Sequence, residues 1–399
     1  MMEELKIVAL LELGLFLSTI SFAIATIEVS VSCMMVYDEG GASAVFGSPD
    51  CPQWVLSTES LPNQTGNCQF ATLQGHREYQ EDRITCNLEM KMPFLGKNGI
   101  KEVMVGIAAV FDGHGGKEAS EMASKHLLDY FSLHFVFNTY KQALSYKEEH
   151  DHDLAFQGHN RDEAEHHILN LGSCNGEQPS TDDESVHRIL KEALLRTIQD
   201  IDLKFSVEAF NNKYVSGSTV TVVLWVDGQI LVANVGDSKA LLCSERIQSP
   251  LEAEGTSMAK LHAEELTRDH HPDRDDERGR IEAAGGFVRV RGVPRVNGVL
   301  ALSRSIGDVY LKRYGVIAVP EVLGWRPLTP NDSYLVIASD GVFESLTPGD
   351  VCDLLWDANI QENDISKNSS SCYIVNTAFK KGSMDNLSAI VVPLKSTVF

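Results

Sequence analysis

The segment that most constrains this chain is residues 111–116, Phe-Asp-Gly-His-Gly-Gly, which closes the apolar stretch 103–111. An apolar stretch of this length, bounded by glycines, predicts a buried β-strand. The glycines allow the backbone to turn sharply and allow other groups to approach it closely. A strand that ends in this way places a carboxylate, a backbone carbonyl and an imidazole at one edge of a sheet.

Three more carboxylates stand at the margins of apolar stretches in distant parts of the chain: Asp237 after 230–235, Asp340 after 334–339 and Asp385 before 387–392. Hard divalent cations take several oxygen ligands, and a single carboxylate rarely holds them. Four acidic strand ends that converge would form such a site. The sequence therefore predicts a centre for hard metal ions, built around Asp112.

Composition excludes several classes of protein. The 399 residues include 34 Lys and Arg against 56 Asp and Glu, a net charge of −22, so no nucleic-acid partner is expected. Eight cysteines in a chain of this length do not make a disulfide scaffold, and no Cys-x-x-Cys pair predicts structural zinc. No cysteine is followed by arginine six positions later, so the signature of cysteine-nucleophile phosphatases is absent.

The N-terminal region is apolar. Residues 13–27 carry no charge, and residues 1–31 are predicted to be a signal peptide or a short signal anchor, with a buried core helix as the alternative. A linker is predicted for 32–65 because Gly, Ser, Pro and Asp recur there without periodicity. We therefore expect membrane association, or transfer into the secretory pathway, through residues 5–31.

The side of the membrane stays open. No Lys or Arg lies between Lys6 and Arg77, so the positive-inside rule would send the following chain outward. Four glycosylation sequons begin at Asn63, Asn331, Asn368 and Asn386. A glycan on Asn386 would crowd Asp385, and the cytosolic face is for this reason slightly favoured.

Periodicity predicts helices over 117–131, 185–205, 348–359 and 371–380, and strands over 218–226, 229–235, 240–243, 298–302, 334–338 and 387–392. Asp227 and Gly228 form a two-residue hairpin turn between two of these strands. The acidic, histidine-rich stretch 141–185 is predicted to be an inserted surface loop. Strands and helices cluster without alternating, which favours antiparallel sheets flanked by helices.

A family resemblance rests on seven motifs. Residues 75–83, Gly-His-Arg-Glu-Tyr-Gln-Glu-Asp-Arg, resemble the opening of metal-dependent type 2C protein Ser/Thr phosphatases. The other six follow in the family's order at 112–116, 216–219, 233–238, 300–308, 338–341 and 385–388. The similarity covers about 66–394, so a phosphatase domain is expected over 66–396. Residues 282–286 and 295–298 resemble plant members.

The resemblance implies an α+β fold: a central sandwich of two antiparallel sheets, with helices on both outer faces. It also implies two Mg²⁺ or Mn²⁺ ions and a possible weaker third. Asp112 would contact both ions, Glu81 and the Gly113 carbonyl would hold one, and Asp340 with Asp385 the other. Asp82 would support these ligands from behind, and Asp237 with Asp340 would form the weaker site.

Two further roles are carried over from the family. Arg77 would bind two phosphate oxygens through its planar donors, and His114 would give a proton to the departing alkoxide. Every expected position holds the required residue type. This favours a phosphoserine and phosphothreonine phosphatase over a catalytically silent, membrane-tethered scaffold. A hydrolase of small phosphate esters is the third hypothesis.

The expected partners are phosphoproteins. Plant members that dock abscisic-acid receptors insert a Trp from a flap beside the cleft, and residues 288–293 contain none. The chain is therefore not expected to be such a receptor partner. The acidic stretch predicts a preference for basic phosphopeptides if it faces the cleft. Signal transduction at a membrane is the expected setting if the domain is cytosolic.

Overall fold

The computed structural model describes residues 68–96, 99–157, 181–247, 259–360 and 369–394. The hypotheses about 1–31 and 32–65, and about the centre of the acidic insertion at 158–180, lie outside these residues. None of the described helices is long and apolar enough to span a bilayer.

Two five-stranded antiparallel sheets form the centre of the fold. The strands are, in chain order, β1 Gln69–Leu73, β2 Arg83–Gly96, β3 Gly99–Phe111, β4 Gly113–His114, β5 Gly217–Ser218, β6 Val220–Val226, β7 Gln229–Val235, β8 Lys239–Ile247, β9 Ala259–Glu265, β10 Val288–Arg291, β11 Val293–Val296, β12 Ile306–Gly307, β13 Glu321–Pro327, β14 Asp332–Ala338 and β15 Leu387–Pro393. Sheet I has the order β1-β15-β14-β8-β9, and sheet II has the order β13-β7-β6-β3-β2. Short strands β12-β5-β4 form a small third sheet, and β10-β11 is a separate hairpin.

Helices cover both outer faces of the sandwich. They are α1 Glu118–Gln157, α2 Thr181–Asn212, α3 Asp275–Ala283, α4 Val309–Lys312, α5 Asp340–Phe343, α6 Pro348–Ile360 and α7 Ser370–Lys380. The apolar faces of α1 and α2 pack on sheet II, and those of α6 and α7 pack on sheet I. The fold is thus the α+β sandwich that the sequence predicted.

Strand β3 explains why the strands have continuous apolar sequences. Successive side chains of a strand point to opposite faces. Ile107, Ala109 and Phe111 pack under α1 and α2, whereas Ala108 and Val110 face sheet I. A strand between helices and a second sheet is buried on both faces, so it cannot show the apolar–polar alternation of a half-exposed strand.

Local predictions had mixed outcomes. The β6–β7 hairpin has the predicted turn, with positive φ angles at Asp227 (47°) and Gly228 (70°). The strand predicted over 298–302 is wrong. Positive φ angles of 51° at Asn297 and 73° at Gly298 turn the chain there, and Leu300 makes an isolated bridge to Val296.

The acidic insertion is not a loop where the structure describes it. Residues 141–157 continue α1, and 181–185 already belong to α2. Both helices are therefore longer than predicted. The stretch 141–157 is rich in Lys, Glu, Ala, Gln and Leu, which have high helix propensity, so it extends a helix that core packing has already nucleated.

The structure contains two disulfides among the described residues, although the number of cysteines predicted no disulfide scaffold. Cys68, just before β1, is bonded to Cys86 in β2 and so joins the two sheets. Cys243 in β8 is bonded to Cys352 in α6 and so joins sheet I to a covering helix. Of the described cysteines, Cys372 alone is a free thiol. The sequence separations of 18 and 109 match no motif, so the pairing could not be predicted from the spacing of the cysteines.

Candidate active site

Three of the predicted carboxylates meet at one end of the sandwich. Asp112 follows β3, Asp237 lies in the turn between β7 and β8, and Asp340 follows β14 at the first residue of α5. One carboxylate oxygen from each lies within 4.8 Å of the other two. We call these three residues the acidic floor. Each is partly exposed to solvent, so a ligand can reach the cluster.

The charges of the acidic floor oppose one another. Desolvation, together with the charges of Asp340 and Asp82, raises the pKa of Asp112 well above its usual value. Desolvation and the charge of Asp340 raise the pKa of Asp237 to about 7. The pKa of Asp340 is raised as well, again chiefly by desolvation. A group of oxygen donors that repel one another as anions fits a hard divalent cation, which would neutralise them.

Asp82 and Asp385 lie beside the acidic floor. Asp82 is buried and accepts a hydrogen bond from Ser339 Oγ at 2.9 Å. Burial, with the charges of Asp340 and Asp385, raises its pKa to about 7, although hydrogen bonds from Ser388 and Ser339 oppose the shift. Asp385 Oδ2 accepts from Arg77 Nη2 at 2.5 Å. The predicted phosphate-binding arginine therefore sits on a predicted metal ligand.

Glu81 lies against the loop that carries Gly113. Glu81 Oε1 accepts from the backbone N–H of Gly116 at 2.7 Å, so this carboxylate lies against the loop at 113–116 and outside the acidic floor. A Cβ atom at Gly113 would lie 2.4 Å from the carbonyl oxygen of Glu81 and 2.8 Å from Ser120 Oγ. Only glycine permits this approach, which places the Gly113 backbone next to Glu81.

His114 is paired with Asp308, the last residue of the 300–308 motif, in a contact that the sequence did not predict. Its Nε2 lies 2.7 Å from Oδ2 of Asp308, which is buried. Burial by itself lowers the pKa of His114, but the charge and hydrogen bond of Asp308 outweigh it, and the pKa is raised. The Asp308 backbone is fixed by a hydrogen bond from its N–H to the carbonyl of Ser216.

Sequence reasoning also missed the role of Asn386. Its Oδ1 accepts from the Glu81 N–H at 2.8 Å, and its Nδ2 donates to the carbonyls of Gln74 and Tyr79. This one side chain thus holds the loop that carries Arg77, Glu81 and Asp82 against the strand end at Asp385. The position of Asn386 within the 385–388 motif was the one sequence feature that pointed to a role in the site.

A buried ionic cluster supports the segment before Asp308. Glu277 in α3 is fully buried and accepts hydrogen bonds from Arg274, Arg280, Arg304 and Ser303. Arg304 also donates to the carbonyl of Val319. These bonds fix residues 303–305, which lead directly into β12 and Asp308.

Comparisons with known proteins agree with this geometry. The family model "Protein phosphatase 2C" matches residues 134–387, more than half of the chain. The chain belongs to the protein phosphatase 2C family. It is 46% identical to probable protein phosphatase 2C 51 of Arabidopsis thaliana, over 98% of this chain and 84% of that protein. It is 42% identical to putative protein phosphatase 2C 76 of Oryza sativa subsp. japonica, over 92% of this chain and 85% of that protein.

A solved structure has the same fold. A serine-threonine phosphatase 2C from Toxoplasma gondii aligns with a TM-score of 0.60 and 21% identity, over 82% of this chain and 94% of that one. The chain is therefore a plant-like protein serine/threonine phosphatase, a hydrolase that acts on phosphoproteins. This outcome does not favour the alternatives of a silent scaffold or a small-ester hydrolase.

Proposed function

We propose that this phosphatase hydrolyses phosphoserine and phosphothreonine by direct attack of water, with two Mg²⁺ or Mn²⁺ ions held at the acidic floor. The observation that carries the proposal is the convergence of Asp112, Asp237 and Asp340 from three separate strand ends. Carboxylate and carbonyl oxygens suit these hard cations better than softer metals. The donor set contains no thiolate or imidazole, which agrees with that choice.

The residues that would hold the ions are Asp112, Asp237 and Asp340, with Asp385, Glu81 and the Gly113 carbonyl beside them. When bound, the ions would lower the pKa of a water molecule and offset the charge of the phosphoryl oxygens. Asp82 is buried and accepts from Ser339 Oγ, next to Asp340 in the chain, so it would support the acidic floor without itself binding an ion. A weaker third ion would rest on Asp237 and Asp340.

Arg77 is the proposed phosphate-binding group. Its side chain is 54% exposed and is anchored at one nitrogen by Asp385. A guanidinium held in this way keeps its remaining N–H donors in a fixed plane, which matches two oxygens of a phosphate. Lysine would supply the same charge without the two-point geometry.

His114 is the proposed general acid. Asp308 holds Nε2, so Nδ1 is the atom that would donate to the alkoxide of the leaving serine or threonine. No phosphoenzyme is required. The hydroxyl groups of Ser303 and Thr219 are buried and already hydrogen bonded, Ser303 to the His270 carbonyl and Thr219 to Ser238.

The test is phosphate release from a phosphothreonine peptide by protein stripped of metal with a chelator. We expect activity to return on adding Mn²⁺ or Mg²⁺, and calorimetry to count two tight sites. Activity that persists in chelator would contradict the metal mechanism. A panel of sugar phosphates and nucleoside monophosphates tests the alternative of a small phosphate-ester hydrolase. That alternative requires these small esters to be hydrolysed faster than the peptide.

A substitution at Gly217 tests the His114–Asp308 pair. A Cβ atom there would lie 2.0 Å from Asp308 Oδ2 and 2.5 Å from His114 Nε2, so Gly217→Ala must push the pair apart. We expect kcat for the phosphothreonine peptide to fall roughly 10²-fold. The loss on p-nitrophenyl phosphate should be much smaller, because nitrophenolate leaves without a proton. Gly279→Ala, where nothing lies within 4 Å of the added atom, is the matched control. Equal losses on both substrates would contradict the acid role.

The wider setting is also proposed. We infer membrane association, or transfer into the secretory pathway, through residues 5–31, and phosphoprotein substrates that serve signal transduction. The flap over 288–293 has no Trp, which supports independence from abscisic-acid receptors. Hormone-dependent inhibition by such a receptor would contradict this.

A further inference from the structure

The cysteines of the phosphatase domain are mostly paired. Four of the five described cysteines form two disulfides, and Cys68, Cys243 and Cys352 are buried. Each bond joins separate layers of the fold: sheet I to sheet II, and sheet I to α6. Disulfides that join structural layers persist in oxidising compartments, whereas thiol reductants of the cytosol keep such cysteines reduced.

A glycosylation sequon lies on the surface of the same domain. Asn331-Asp332-Ser333 begins in the turn between β13 and β14, and Asn331 is exposed, as acceptors of N-linked glycans must be. Asn386 also begins a sequon, but it is 3% exposed and its amide makes three hydrogen bonds inside the site. The glycan-accepting position among the described residues is therefore Asn331.

The position of Asn331 removes the conflict between glycosylation and catalysis. Strand β14 runs from Asp332 to Ala338, and Asp340 of the acidic floor follows its far end. Seven residues of strand at about 3.3 Å each place Asn331 more than 20 Å from that floor. A glycan at Asn331 would leave the cleft open.

We propose that this domain matures in the oxidising secretory pathway, where both disulfides form and Asn331 receives an N-linked glycan. The absence of Lys and Arg between Lys6 and Arg77 agrees with an outward orientation of the domain. This orientation is opposite to the cytosolic one that the sequence slightly favoured, and it goes beyond the proposed reaction. The substrates would then be proteins phosphorylated in the lumen or outside the cell.

The experiment uses the full chain expressed in plant cells and lysed in N-ethylmaleimide, which traps free thiols before air can oxidise them. Peptide mass spectrometry without reduction should find Cys68 linked to Cys86 and Cys243 linked to Cys352. Deglycosylation in H₂¹⁸O should mark Asn331. On a gel, deglycosylation should increase the mobility of the protein. This shift should persist in the double variant Asn63→Gln/Asn368→Gln and disappear when Asn331→Gln is added.

None of these measurements depends on phosphatase activity. A failure of this proposal can therefore be distinguished from a failure of the proposed reaction. Alkylation by N-ethylmaleimide of all four cysteines of the two disulfides would contradict maturation in an oxidising compartment. Disulfide-linked cysteines together with an unmodified Asn331 would contradict glycosylation at Asn331. Glycans found only at Asn63 and Asn368 would contradict it as well. Asn331 is exposed, so the loss of its amide should not prevent folding.

Discussion

Asp112→Asn is expected to lower kcat on a phosphothreonine peptide by roughly 10³-fold or more, because Asp112 supplies one of the three carboxylates of the acidic floor. An asparagine carries no charge, so it would offset less of the charge of a divalent cation held at the acidic floor. Calorimetry should show weaker Mn²⁺ binding. The loss should be similar on p-nitrophenyl phosphate, because the metal site serves every substrate irrespective of its leaving group.

The same variant should be more stable than the wild type when both are free of metal. Desolvation and neighbouring carboxylates make the charged form of Asp112 unfavourable in the folded state, and its pKa is raised accordingly. Removing that charge should raise the Tm of chelator-treated protein by a few degrees, corresponding to about 1–2 kcal/mol. The wild type should regain the advantage in millimolar Mn²⁺, since a ligand stabilises the state that binds it.

Asp129→Asn is the matched control, because Asp129 is exposed on α1 and is not part of the acidic floor. It should change neither kcat nor the Mn²⁺-dependence of Tm. A metal-free Asp112→Asn protein that melts below the wild type would show that Asp112 holds the fold together through its hydrogen bonds. The charge-repulsion account would then be wrong.

The convergence of the acidic residues was predictable, because each stands at the end of a strongly apolar strand and such ends meet at the edge of a sheet. The His114–Asp308 contact was not, since it joins residues 194 positions apart and Asp308 lies in no recognisable acid–base spacing. The disulfides were missed for a similar reason: their cysteines pair only after the layers have packed. The sequence of 141–157 shows no apolar periodicity, which predicts a loop, although many of its residues have high helix propensity.

Glu277→Gln is expected to have the largest effect on stability. Glu277 is fully buried, and its two oxygens accept from three arginines and Ser303. A glutamine offers one acceptor oxygen and turns an NH₂ group toward guanidinium donors, which leaves buried positive charge without balance. Breaking such a pair typically costs 3–5 kcal/mol, and about 3 is expected here because the arginines retain some contact with water.

Urea unfolding should be used for this measurement, because guanidinium salts would screen the ion pairs. Glu282→Gln, an exposed site on the same helix, should stay within about 0.5 kcal/mol of the wild type. Activity on the phosphothreonine peptide should fall in Glu277→Gln, because Arg304 and Ser303 lead into the segment that presents Asp308 to His114. An unchanged unfolding free energy would contradict the assignment of the cluster as a structural support.

The pH dependence of the Glu277→Gln effect gives an independent check. Burial by itself would raise the pKa of Glu277, but hydrogen bonds from Arg280, Arg304 and Ser303 outweigh it and hold the pKa far below its usual value of 4.5. A carboxylate whose pKa is lower in the folded state contributes stability above its unfolded pKa and loses it as the pH falls toward the folded value. The stability difference between wild type and Glu277→Gln should therefore be constant from pH 6 to 8 and narrow below about pH 4.5. A difference that stays constant down to pH 3 would mean that shape, and not charge, is what Glu277 supplies.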